Sequence, residues 1–90
     1  KETLPSDEGM LFVFNEEKRH GIWMMNMSFP IDIIWINKNL EIVDIAENAQ
    51  PCVMNCPIYQ PEGKSLYVLE VNSGFVKKNK LQVGDSVSIS

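Results

Sequence analysis

Ninety residues, of which 12 are acidic and 8 are basic, give this chain a net charge of −4. This charge disfavours a surface that follows the phosphates of a nucleic acid, so we expect no nucleic-acid partner. Hydrophobic residues make up 44% and charged residues 22% of the chain, as is usual for one small folded domain, which we assign to residues 1–90. The apolar runs are too short for a transmembrane helix of about 20 residues.

Short apolar runs that alternate with turn-forming residues predict a domain built mainly of β-strands. A polar segment over residues 1–9 predicts an initial loop. Asn37, Lys38 and Asn39 predict a hairpin loop in which Asn39 takes the left-handed conformation, because asparagine tolerates it better than most residues do. Strands are predicted at Met10–Phe14, Gly21–Met27, Ile31–Asn37 and Leu40–Glu47.

The second half of the chain begins with a long segment, Asn48–Ser65, whose prolines predict an ordered but irregular loop. Long ordered loops are often functional. Ser73 is the predicted N-cap of a short helix over Gly74–Lys80, and the lysines of this helix suit its carboxyl end. Strands are predicted on either side of this helix, at Leu66–Asn72 and, after a Gly84-Asp85 turn, at Ser86–Ile89.

An almost wholly apolar run, Gly21–Ile36, contains one amide, Asn26, and one carboxylate, Asp32. Burying such a group without hydrogen-bond partners costs roughly 2–7 kcal/mol, so each must be paired or lie near water. Between them, Pro30 fixes a stiff bend that can bring both groups to one region. This run is therefore the best site candidate in the sequence, although it identifies no reaction.

Five segments form a series of motifs: Gly9–Phe14, the run from Trp23 to Asp32, Tyr67–Glu70, Gly74-Phe75 and Leu81-x-x-Gly84-Asp85-x-Val87. In these motifs and their order, over residues 7–89, the chain resembles the domain of unknown function 192 family. The resemblance implies a compact, barrel-like β domain that occurs alone or behind a signal or membrane anchor. It implies no established activity.

The family's tryptophan, asparagine, proline and aspartate positions fall on Trp23, Asn26, Pro30 and Asp32. Where the family commonly has lysine and threonine, this chain has Met25 and Met27, so we expect no mechanism that needs a cation on this strand. The family domain also usually begins with a further strand and a Gly-Leu-Met segment, which we expect to be missing here. The resemblance thus favours an extracytoplasmic or membrane-anchored location, reached through a missing N-terminal segment.

Asp32 and Glu70 both lie on strand faces with a buried pattern, because alternate residues of a strand share a face. Asp32 shares its face with Ile34 and Ile36, and Glu70 shares its face with Val68. One interpretation is a pair of carboxylates that line a pocket, with a pKa raised by burial or by mutual repulsion. The other, which we favour, is that each accepts hydrogen bonds from backbone amides and stabilises a corner of the fold. Sequence spacing does not decide whether the two are neighbours.

Trp23 and four nearby side chains can form either a soft binding surface or part of the core, and core is the commoner role. An exposed Trp23 beside Asn26 would form a platform for stacking a sugar or another ring. The four nearby side chains are Met24, Met25, Met27 and Phe29.

Cys52 and Cys56 are the two cysteines of the chain, and they stand in the long loop between two prolines. Their spacing is not that of a redox Cys-x-x-Cys motif, and a structural zinc site usually needs four ligands. We predict a disulfide, with free thiols as the alternative. Closing a loop of this size contributes roughly 2 kcal/mol, and a disulfide indicates an oxidising compartment.

The sequence therefore predicts a mainly β, barrel-like domain, antiparallel or mixed, with one short helix near the C-terminus. The favoured function is a non-catalytic binding module for a small molecule, a glycan or a cell-envelope partner. Trp23, Asn26, Asp32 and Glu70 would line its site, with the loop Asn48–Ser65 as a rim. The alternatives are a hydrolase that uses Asp32 and Glu70 as a carboxylate pair, and a purely structural domain. We assign no catalytic residue, no metal ligand and no cofactor.

Overall fold

The computed structural model describes residues 9–25 and 27–88, and it confirms a mostly β chain with one short helix near the C-terminus. Of the predicted initial loop, only Gly9 lies within the described residues, where it begins a strand. The predicted last strand is described up to Ser88 and contributes an isolated bridge at Ser86. In the described part of the chain, no helix is long and apolar enough to span a membrane. The elements are β1 (Gly9–Lys18), β2 (Ile22–Trp23), β3 (Ile31–Ile36), β4 (Ile42–Ala49), β5 (Ile58–Tyr59), β6 (Ser65–Asn72) and α1 (Phe75–Lys78).

Four strands form one antiparallel sheet in the order β1-β6-β3-β4, and β2 pairs with β5 in a separate antiparallel ribbon. The sheets do not close into the predicted barrel. β1 is bound to β6 and β4 to β3, and these two outer strands lie at opposite edges of the sheet. The fold is therefore an open sheet with a small ribbon packed on one of its faces.

The hairpin of β3 and β4 confirms the strand predictions at the centre of the chain. Asn37 Oδ1 closes the hairpin by accepting hydrogen bonds from the backbone N–H groups of Asn39 (2.9 Å) and Glu41 (3.0 Å). The left-handed residue is Leu40, with a φ of 62°, and not Asn39 as predicted. Because Asn37 binds the chain on both sides of Leu40, it holds this leucine in a conformation that asparagine adopts more easily.

Both faces of the four-stranded sheet are covered at β3, which explains why every residue of this strand is buried. On one side, here called the helix face, Ile34 clusters with Val76 of α1. On the other side, here called the ribbon face, Ile33 and Trp35 cluster with Met24, which follows β2. An uninterrupted apolar strand is the pattern expected of a strand that is buried on both faces.

The segment between β4 and β6 is irregular, as predicted, apart from β5. The predicted strand Gly21–Met27 is reduced to β2 and to one bridge between Met25 and Cys52. Further along the chain, Ile58 pairs with Trp23. The loop over residues 52–58 therefore begins and ends beside the segment that contains β2.

Candidate functional site

Asp32 is fully buried, and its two carboxylate oxygens accept three backbone hydrogen bonds. Oδ1 accepts one from Asn48 N–H (2.8 Å), and Oδ2 accepts one each from Gly74 N–H (3.1 Å) and Val76 N–H (2.9 Å). The last two donors belong to the start of α1, where backbone N–H groups have no partner within the helix. Asp32 therefore caps the helix from a neighbouring strand, in line with the structural interpretation of this carboxylate.

Ser73 does not have the capping role that we predict for it from the sequence. The N-cap is Gly74, with a φ of 96°, and it makes no side-chain capping bond. Ser73 Oγ instead donates a hydrogen bond to Asn48 Oδ1 (2.7 Å). Asp32 already accepts hydrogen bonds from the first N–H groups of the helix, and the serine hydroxyl binds a side chain near the end of β4 instead. α1 is also shorter than predicted, and Lys80, with a φ of 55°, lies just beyond it.

The structure does not bring Glu70 to the same side of the sheet as Asp32. In the pairing of β3 with β6, Asp32 lies opposite Val71, and Ile33 lies opposite Glu70. Directly opposed residues share a face, and successive residues of a strand alternate between faces. Asp32 therefore points to the helix face and Glu70 to the ribbon face. A carboxylate pair that flanks one glycosidic bond requires both groups on the same side of the sheet, and this geometry does not provide it.

Glu70 is 7% exposed and has apolar neighbours on the ribbon face. Met10 of β1 lies opposite it on one side, and Ile33 of β3 lies opposite it on the other. Burial raises the pKa of the Glu70 carboxyl above its usual value of 4.5, because removing a group from water disfavours its charged form.

The wild type is expected to lose stability as the pH rises and Glu70 ionises. We expect Glu70→Gln, which cannot ionise, to lack this loss. A raised pKa means that the folded chain binds this proton more tightly than the unfolded chain does. Protonation therefore stabilises the wild type below the unfolded pKa of about 4.5, and this contribution is lost as the pH rises through the raised pKa. Urea titrations between about pH 4 and pH 7 should show the variant gaining stability relative to the wild type as the pH rises.

The control for this measurement is Glu47→Gln, since Glu47 is exposed and should give no such gain. If the free energies of unfolding of Glu70→Gln and the wild type differ by the same amount at every pH, the prediction is contradicted.

Trp23 is 56% exposed, so it belongs to the surface rather than to the core. It lies opposite Ile58 in the β2–β5 ribbon, and Ile58 is also more than half exposed. Val53 and Met54 follow Cys52, which bridges to the same segment, and most of their surface is exposed. We call the four side chains of Trp23, Val53, Met54 and Ile58 the apolar patch.

Cys52 and Cys56 form the predicted disulfide. It closes the short loop that carries two members of the apolar patch, Val53 and Met54. The loop is also attached to the segment after β2, because Cys52 N–H donates a hydrogen bond to the Met24 carbonyl (3.3 Å). The crosslink restricts the conformations of the loop, and the loop is joined at Cys52 to the residues that follow Trp23.

The other candidate site residues of the segment around Trp23 do not share its exposed position. Asn26 lies outside the described residues, so a stacking platform made of Trp23 and Asn26 stays a prediction. Met24 is buried in the core of the ribbon face, and Met27 and Phe29 pack against the same core. Among the described large apolar side chains of this segment, Trp23 is therefore the exposed one.

Three members of the apolar patch, Val53, Met54 and Ile58, are not among the residues predicted from the sequence. A signal for the first two is present, since they are large apolar residues enclosed by two cysteines in a proline-rich loop. A short crosslinked loop cannot bury such side chains within itself, and this indicates contact with something outside it.

The model of one protein family matches the chain over residues 1–89: DUF192, described as "Uncharacterized ACR, COG1430". None of the curated proteins compared with the chain matches it.

Two solved structures have the same fold. One is a candidate transcription regulator from Sinorhizobium meliloti 1021, with a TM-score of 0.87 and 35% sequence identity. The other is a protein of unknown function from Novosphingobium aromaticivorans DSM 12444, with a TM-score of 0.87 and 32% identity. Each match covers 96% of this chain, but the chain spans only 65% and 60% of the two solved chains, respectively.

Proposed function

We propose that this chain, which belongs to the DUF192 family, is a non-catalytic binding module and that the apolar patch around Trp23 is its contact surface. The observation that carries this proposal is the exposure of four large apolar side chains on a ribbon and on a loop closed by a disulfide. Contiguous exposed apolar side chains indicate interaction sites, whereas single scattered ones are normal. Tryptophan and methionine are also enriched at protein interfaces, and tryptophan is frequent among the residues that dominate binding energy.

A protein with an apolar segment is the partner that best fits the patch. Its four side chains offer one strong hydrogen-bonding group, the indole N–H of Trp23. A glycan needs several polar partners for its hydroxyl groups, whereas an apolar protein segment needs none. The net charge of −4 gives no support to a nucleic-acid partner.

An oxidising compartment such as the cell envelope is the location that we propose for this interaction. The support is the disulfide of Cys52 and Cys56, because disulfides persist mainly in oxidising compartments. In such a compartment the loop keeps its crosslink and the apolar patch keeps its arrangement.

Asp32 and Glu70 have no part in the proposed contact surface. The Asp32 carboxylate is occupied by three backbone donors, so we assign it to the stability of the fold. Glu70 lies on the other face of the sheet from Asp32. We therefore do not propose the hydrolase with a carboxylate pair.

Peptide selection tests this function with a defined probe. A phage-displayed peptide library, selected against the oxidised chain, should yield peptides rich in apolar residues. Their binding should shift the emission of Trp23 to shorter wavelength. Ile58→Ala should weaken the binding about tenfold or more, as expected for a central interface residue. Val83→Ala is the matched control, because Val83 (60%) and Ile58 (59%) are equally exposed.

Two outcomes would count against the proposal. Selection of no peptide, or peptide binding that survives both Trp23→Ala and Ile58→Ala, would exclude the apolar patch as a protein-binding surface. Binding to oligosaccharides in a parallel glycan panel, with no binding to peptides, would replace the protein partner by a glycan.

A further inference from the structure

The loop that carries half of the apolar patch is attached to the rest of the domain at its two ends. At one end Cys52 N–H donates a hydrogen bond to the Met24 carbonyl (3.3 Å), and at the other end Ile58 pairs with Trp23. Within the described part of the chain, residues 53–56 make no hydrogen bond to another backbone group. The disulfide is therefore the crosslink that restricts the shape of the loop between these two attachments.

Val53 and Met54 depend on this crosslink for their positions. They are 85% and 77% exposed, so contacts with the core do little to hold them. Asn55, the next residue, has a φ of 57°, a left-handed conformation that an unconstrained chain occupies rarely. Because the crosslink joins two residues only four positions apart, it supports this conformation. Once it opens, residues 53–55 can leave their arrangement without breaking a backbone hydrogen bond.

The disulfide is within reach of a thiol in solution. Cys52 and Cys56 are only partly buried, and the residues on both sides of each cysteine are exposed. In thiol–disulfide exchange a thiolate attacks one sulfur of the disulfide, and the rate depends on access to that sulfur. Exposed disulfides are accordingly among the labile and regulatory ones.

We propose that the disulfide of Cys52 and Cys56 is a redox switch of the apolar patch, which binds its partner tightly only while the disulfide is closed. The reductant is a dithiol, such as a protein with a reactive Cys-x-x-Cys pair. Its first thiolate attacks one of the two sulfurs, breaks the bond between them and forms a mixed disulfide. Its second thiolate then attacks the mixed disulfide and forms the reductant's own disulfide. Two electrons and two protons thereby pass to Cys52 and Cys56, which become thiols.

The switch rests on the proposed function, because it acts on the same patch. Reduction should weaken peptide binding about tenfold, since the partner must then order the loop and both of its apolar side chains. Trp23 and Ile58 stay on the ribbon, whose strand pairing does not involve the cysteines. Binding is therefore weakened and not abolished. The loop is short, so its opening removes little of the stability of the domain, which should stay folded.

The test compares the affinity of one peptide for the oxidised and the reduced chain. The peptide is free of cysteine and is selected against the oxidised chain, and dithiothreitol is the reductant. The reduced chain and the double variant Cys52→Ser with Cys56→Ser should both bind about tenfold more weakly than the oxidised chain. Dithiothreitol should not change the affinity of the double variant, and reoxidation should restore that of the wild type. Urea denaturation shows whether each form is folded.

Met54→Ala tests whether the loop side chains account for the difference. In the oxidised chain it should weaken binding about fivefold, as expected for an interface residue that contributes to affinity. In the double serine variant it should have little further effect, because Met54 is no longer held for contact. Val83→Ala, at an exposed position outside the patch, should have no effect in either background.

Failure of the switch and failure of the proposed function give different results. Equal affinity of the oxidised and reduced chains would overturn the switch and leave the proposed function intact. An oxidised chain that selects no peptide would overturn the proposed function and the switch with it. A reduced chain that is unfolded would also overturn the switch, because the crosslink would then be a requirement of the whole fold. An equal effect of Met54→Ala in both backgrounds would contradict the role of the loop.

Discussion

Asp32→Ala is expected to lower the free energy of unfolding by roughly 1–3 kcal/mol, the cost of leaving a buried donor without a partner. The substitution removes the acceptor of three backbone N–H groups at once. Asn48 and Gly74 are exposed residues, so their N–H groups can bind water instead. Val76 is buried, and its N–H would stay without a partner. This one donor therefore dominates the expected loss.

Urea denaturation of the wild type, Asp32→Ala and Asp32→Asn measures the loss directly. Asparagine keeps one acceptor oxygen but turns its NH₂ group towards the donors on the other side, so Asp32→Asn should have an intermediate stability. Asp85→Ala is the control, because Asp85 accepts a hydrogen bond from Gln82 N–H in an exposed turn and its removal should cost less. A midpoint for Asp32→Ala at or above that of the wild type would contradict the structural role. Such a result would favour a ligand contact, since removing a strained functional group often raises stability.

The hairpin of β3 and β4 could be predicted because the information for it is local. The apolar run from Ile31 to Ile36 indicates a buried strand, and Asn37 marks the turn that follows within a few residues. The disulfide is local as well, since Cys52 and Cys56 are four residues apart. Closure of the sheet is not local. It depends on which strands become edges, and strand patterns alone do not decide this, so the sequence predicts a barrel-like domain where an open sheet forms.

The arrangement around Asp32 could not be predicted for the same physical reason. Two of its three donors, Gly74 and Val76, lie 42 and 44 residues away in the chain. The sequence indicates that a buried carboxylate needs partners, but not which N–H groups supply them. The separation of Asp32 from Glu70 depends in turn on the register of β3 against β6, and a shift by one residue would place both on the same face.

The two tryptophans show why the contact surface could not be predicted from the sequence. Trp23 and Trp35 both lie in apolar surroundings in the sequence, and each needs a hydrogen-bond partner if it is buried. In the structure Trp35 is in the centre of the main sheet, whereas Trp23 is on a two-residue strand of the ribbon. Because burial is decided by the packing of the ribbon on the sheet, their different environments appear only in three dimensions.

Trp35→Ala is expected to lower the free energy of unfolding by about 3–5 kcal/mol, as is usual when a large aromatic side chain is removed from a core. Trp35 is buried on the ribbon face, and its Nε1–H donates a hydrogen bond to the His20 carbonyl (2.7 Å). Small domains are stable by only about 5–15 kcal/mol, so this variant should unfold at a much lower urea concentration than the wild type. Trp35→Phe should keep most of the packing and lose chiefly the hydrogen bond, at a cost of roughly 1–3 kcal/mol.

Trp23→Ala is the matched control, because it removes the same side chain from an exposed position. We expect it to change the free energy of unfolding by no more than about 0.5 kcal/mol while it weakens peptide binding. A destabilisation by Trp23→Ala as large as that expected of Trp35→Ala would mean that Trp23 belongs to the core, and this would contradict the apolar patch. In the expected result Trp23→Ala lowers affinity and spares stability, and Trp35→Phe lowers stability and spares the affinity of the folded chain. Binding and folding in this domain would then depend on different tryptophans.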